Sequence, residues 1–149
     1  MKKSFLSFPL AVLLTAAGLS AGEKLYQPEL TQQVQPGAGR YFTGEGDTAV
    51  LNFSASDIGE NTVDIPVDPA LLAGKTVTLS GEISQVNVSP GPHPWNGVRL
   101  ALKLVDENGR RDMPQVSTPA GSADWTTRRV SVKVPENLKS AAIVLGLDW

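Results

Sequence analysis

Val98, Leu100, Leu102 and Leu104 alternate with Arg99, Ala101, Lys103 and Val105. A period of two sets one apolar row against a core and a more polar row away from it, the signature of an extended strand. The pattern recurs at Val63, Ile65 and Val67, at Val77 and Leu79, at Val130, Val132 and Val134, and at Ala141, Ile143, Leu145 and Leu147. Short runs at Lys24–Gln27 and Thr48–Ser54 add two further strands, and Arg111–Val116 a third. Asn108-Gly109 predicts a two-residue hairpin turn. Pro66 and Pro114 offer no N–H to a ladder, so Pro66 marks an edge or a strand end and Pro114 an edge strand. Gly81 predicts a bulge or a bend. Asp68–Gly74 predicts one helical turn, with Asp68 as its cap and Pro69 in its first position. Seven or eight short strands with almost no helix define an all-β chain, an antiparallel β-sandwich of the jelly-roll type.

The first residues have a different character. Lys2 and Lys3 precede an apolar run from Phe5 to Ala17, and small residues follow to Gly22. The run is too short for a bilayer and matches a secretory leader, cleaved after Ala21 or Gly22. The expected organisation is a leader over 1–21, a spacer with a first strand over 22–46, and the sandwich over 47–149. The product is expected to be secreted or periplasmic, with no membrane attachment after cleavage.

Charge and cysteine content exclude several functions. Residues 1–21 carry two lysines and no acid, so their removal takes the formal charge from −2 to −4. Arg110-Arg111 and Arg128-Arg129 are doublets rather than a basic patch, so nucleic acid is not an expected partner. With 0 Cys among 149 residues there is no disulfide and no thiolate chemistry. The only histidine, His93, has no second His or Cys with which to build a metal cluster. Glu45, Asp47 and Asp57 could contribute oxygen ligands to a structural calcium ion, although nothing in their spacing fixes a site. No G-x-S-x-G elbow is present, and Asp106-Glu107 falls in a turn where solvated acids are the rule.

Three segments together carry a likeness: DPALLAGKTVTLSGEISQVNV, PHPWNGVRLALKL and ADWTTRRVSVKVPENLKSAAIVLGLDW. Over Asp47–Trp149 the chain resembles the jelly-roll, galactose-binding-like, carbohydrate-binding-module-like domains that precede catalytic barrels in secreted, cellulase-like glycoside hydrolases. The pieces that match best are Pro94–Val98, Asp124-Trp125 and Leu145-Gly146-Leu147. In that family a final strand with a Trp-Phe-Asp-Asp-like signature and a catalytic domain come next. Neither is in this sequence, so a sandwich short of its last strand is the expectation. The resemblance implies a non-catalytic module that binds polysaccharide or oligosaccharide and serves a downstream hydrolase domain. The alternative is a structural spacer that packs on its catalytic neighbour and binds no sugar.

Sugar recognition needs flat apolar faces for pyranose C–H groups and planar polar groups for hydroxyls. Trp95 stands in a loop stiffened by Pro90, Pro92 and Pro94 and enters the Val98–Leu104 strand. His93, Asn96 and Arg99 lie beside it in sequence and can offer hydrogen bonds. Either Trp95 faces a ligand or it plugs the end of the sandwich. Tyr41 and Phe42 are adjacent, so in a strand one faces inward and the other either covers a neighbouring strand or meets a ligand; Tyr41 completes the candidate set. Trp125, which opens a strand, is read as a core residue.

Overall fold

The computed structural model describes residues 4–9, 12–16, 23–37, 39–45, 49–55 and 61–148. Eleven strands are described: β1 Ser4–Pro9, β2 Leu13–Ala16, β3 Lys24–Tyr26, β4 Arg40–Thr43, β5 Val50–Ala55, β6 Asn61–Val67, β7 Thr76–Val88, β8 Gly97–Asp106, β9 Arg111–Asp112, β10 Gly121–Lys133 and β11 Leu138–Asp148. One short helix, α1, covers Leu30–Gln33, and a 3-10 turn covers Pro69–Leu71. Every strand pairing is antiparallel, in one seven-stranded and one four-stranded sheet. The chain is therefore all-β.

In the larger sheet β7 is the spine. Its 13 residues pair with β10 along one edge. Along the other edge β2 pairs with Val77–Ser80 and β1 with Ser84–Val86, so the two N-terminal strands lie end to end. β5 flanks β1, β4 flanks β5, and β3 flanks β2. The smaller sheet has the order β6-β11-β8-β9.

The core lies between the sheets. Leu51, Phe53, Leu79 and Ile83 of the larger sheet pack in one cluster with Ile65, Leu100, Leu102, Ile143 and Leu145 of the smaller. These are the residues on the period-two rows, and burial of each such side chain contributes about 1.5–3 kcal/mol. Val12 and Leu14, from the run with leader character, are fully buried in the same cluster. By the same measure they contribute about 4 kcal/mol together, a sizeable fraction of ordinary domain stability. Lys2, Lys3 and residues 17–22 lie outside the described residues.

Local expectations hold at several points. The proline strand β6 is an edge strand. Asp68 caps the 3-10 turn, its carboxylate accepting from the Ala70 N–H at 2.9 Å. Pro114 also sits at an edge: its carbonyl accepts from Leu102 N–H at 2.9 Å, and Val116 N–H donates to Leu100 at 3.0 Å. The backbone around Gln115 thus runs beside β8 beyond the short β9 ladder.

Three expectations are corrected. Gly81 lies in an unbroken ladder opposite Arg128 and makes no bulge. A Cβ there would stand 3.2 Å from Leu100 Cδ2 and 3.5 Å from Val12, so glycine serves close approach of the two sheets. The register shifts of the β7–β10 ladder fall instead on both sides of Ala123, the first with its extra residue in β7 and the second in β10. The hairpin after β8 is not a two-residue turn. Gly109 N–H donates to Asp106 and Asp106 N–H to Arg110, each at 3.0 Å, with φ +80° at Gly109. Asn108 has no positive φ, which a two-residue Asn-Gly turn of type I′ demands. The loop is thus Glu107–Gly109, with glycine in the left-handed position. Finally, Trp125 is not core but 49% exposed, because β10 is an edge strand whose N-terminal half is irregular.

Candidate functional site

The loop between β7 and β8 crosses from one sheet to the other at one end of the molecule. Just before it, near the end of β7, Asn87 has a φ of 53°, and its N–H donates to Ser122 Oγ at 2.9 Å. The turn itself is closed twice. Asn96 N–H donates to the His93 carbonyl at 3.0 Å, and His93 N–H donates to Asn96 Oδ1 at 3.0 Å. Between prolines that fix φ, this reciprocal pair leaves residues 93–96 little freedom.

The two rings in this turn lie against one another. His93 and Trp95 stack with centroids 4.5 Å apart and planes 11° from parallel. Trp95 is 54% exposed. His93 therefore backs one indole face and leaves the other toward solvent. Among the described residues Trp95 and Trp125 are the most exposed of the large aromatics.

Arg99 sits behind this turn, on the row of β8 that faces away from the core, yet it is only 7% exposed. Its guanidinium is paired with the carboxylate of Asp148 and donates to Gln115 Oε1. Asp148 is opposite Gly97 in the β8–β11 ladder, and Gln115 is bridged to Ala101, so three strand paths converge on one cation. Gln115 Nε2 in turn donates to the Trp95 carbonyl at 3.4 Å. The fork of donors on Arg99 suits such two-sided bracing. The guanidinium is occupied by protein partners, and the surface offered to a ligand is the His93–Trp95 pair with Asn96 half-buried beside it.

Tyr41 is 40% exposed and Phe42 faces inward, the division that adjacency in a strand demands. Tyr41 stands on β4, three strands from β7, roughly 14 Å away at normal strand spacing. It does not join the Trp95 turn. Gln115 and Asp148 had no signal in the sequence, since each becomes adjacent to Arg99 only through sheet pairing.

Other chemistry is sparse. Among the described residues no group of three or more His, Asp or Glu is placed to hold a metal; Asp47 and Asp57 lie outside them. Among the described residues, too, no helix is long and apolar enough to cross a membrane. A shallow cleft lined by Asp106, Arg110, Asp112, Lys133 and Glu136 lies at the far end of β8, about 30 Å of strand from the Trp95 turn. Asp106 there is committed to its own turn, accepting from the N–H groups of Asn108 and Arg110 at 2.9 Å.

Fold and site together define an all-β, two-sheet protein with an aromatic pair displayed on a braced loop. Compared with known proteins, the chain matches no family model, no curated protein and no solved structure.

Proposed function

We propose that this chain is an exported, non-catalytic carbohydrate-binding module that serves a glycoside hydrolase acting on polysaccharide. The observation behind this reading is the Trp95 indole: half exposed, stacked on His93 and held by a turn that cannot easily collapse. A rigid indole face is what a pyranose ring stacks on, and its pre-set orientation lowers the ordering cost of binding. Asn96, whose Oδ1 accepts from His93 N–H, keeps its amide N–H groups as donors that could serve a sugar hydroxyl. Single-site affinity of this kind is weak, and its use is to raise the local concentration of a tethered enzyme.

Affinity electrophoresis of the full chain through glucan and xylan gels tests the reading. Trp95→Ala is expected to weaken retention by about 2 kcal/mol, roughly thirtyfold, as for a central aromatic anchor. Far-ultraviolet circular dichroism should be unchanged. If wild type is not retained by any glycan and Trp95→Ala loses thermal stability, the indole is a packing contact and the spacer reading replaces this one.

A further inference from the structure

β1 runs antiparallel to both of its neighbours, from Ser4 opposite Ala55 to Pro9 opposite Val50 on one side, and with Phe5 opposite Val86 and Ser7 opposite Ser84 on the other. β5 and β7 are therefore parallel to each other and separated by one strand's width. Without β1, β5 has no described ladder partner on that edge and β7 none along Ser84–Val86, since β4 and β10 occupy their opposite edges. β2 continues the same path along Val77–Ser80, and Val12 and Leu14 fill the core beneath it. Gly81 lies against Val12, whose Cγ2 would be 3.5 Å from a Cβ placed there. The strands that insert, Ser4–Pro9 and Leu13–Ala16, belong to the apolar run whose composition suits an export leader. Cutting after Ala21 or Gly22 would break one covalent bond and none of these ladders.

We propose that the groove between β5 and β7 is a strand-acceptor site, and that its ligand is this chain's own N-terminal segment, residues 4–16. The segment is held in cis while attached and stays docked as a separate peptide after the chain is cut. Backbone ladders on two sides supply affinity, and the Val12 and Leu14 pockets supply register, as in recognition by strand addition. A two-sided slot also explains why an apolar segment is not left as an exposed edge, which would pair with other chains. This inference stands apart from the saccharide reading and survives its failure.

The test uses the full chain, made in the cytoplasm with a protease recognition sequence inserted between residues 17 and 22, and cut after folding. The N-terminal fragment is expected to co-elute with the remainder as a one-to-one complex by native mass spectrometry. Amide exchange at residues 50–55 and 84–86 should stay slow after cutting. Ser7→Pro removes a ladder donor in the middle of β1, and the fragment carrying it should dissociate at least tenfold faster. Release of the fragment with tenfold faster exchange at 50–55 and 84–86 overturns docking after the cut, since the segment is then held only by its covalent link. Release with unchanged exchange overturns it, because the sheet closes without the segment. A complex of two chains exchanging their segments overturns docking in cis.

Discussion

Asp148→Ala is expected to destabilise the fold by about 3 kcal/mol, the loss typical when one partner of a buried ion pair is removed. The physical reason is the charge left behind. Arg99 is 7% exposed, and the substitution takes away the carboxylate paired with its guanidinium while Gln115 still accepts from it. A buried cation without its carboxylate loses hydration and regains little. Urea denaturation followed by tryptophan fluorescence measures the change, and a difference below about 1 kcal/mol would mean the pair is solvated and weak, as surface pairs are. The double variant Arg99→Met with Asp148→Ala separates charge from shape. Replacing a buried pair by apolar groups is often near neutral, so most of the lost stability should return. Saccharide retention need not return with it, because Gln115 would have lost the cation that orients it beneath Trp95.

Gly146→Ala has an effect of similar size from a different cause. Gly146 lies in β11 between Arg99 and Thr62 of the neighbouring strands, at φ +142°. A Cβ there would stand 2.1 Å from the Asn61 carbonyl oxygen and 2.7 Å from Thr62 Cα. Both are backbone atoms, so relief requires β6 to move and its ladder to weaken. A loss of about 3 kcal/mol, at the upper end for forced overpacking, is expected, with a Tm lower by roughly 10 °C in a domain of this size. Gly109→Ala is the control. It too has positive φ, but nothing lies within 4 Å of its Cβ position. Only the left-handed conformation opposes it, about 1–2 kcal/mol. Equal losses at the two glycines would show that backbone conformation, not the β6 contact, governs Gly146.

The same residues show where reading the sequence stops. The alternation at Val98–Leu104 and Ala141–Leu147 announces strands, because a row of apolar side chains every second residue can be buried only by an extended chain. It does not say which strands become neighbours. Arg99 reads as an outward, solvent-facing residue by that alternation, and it does lie on the outer row, yet it is buried. The difference comes from Asp148, 49 positions later in the chain, and from Gln115, both brought to it by pairing. Trp125 errs in the other direction. An aromatic opening a long strand resembles a core residue, but β10 lies at an edge and shifts register twice nearby.

The N-terminal run is the sharpest case. Composition alone marks it as a leader, since a dozen apolar residues after two lysines suit export. The same apolar residues suit a sheet, and hydrophobicity cannot distinguish the two uses.

Local chemistry thus settled from sequence what depends on neighbours along the chain: strand periodicity, the Asp68 cap, the edge positions of Pro66 and Pro114, the stiffness of the loop that holds Trp95. Tertiary structure alone decided what depends on neighbours across the sheet: the brace of Asp148 and Gln115 on Arg99, the crowding at Gly146, the distance between Tyr41 and Trp95, and the slot that β1 fills. Strand pairing joins residues dozens of positions apart by backbone groups common to every amino acid, and such groups leave no mark in the order of side chains.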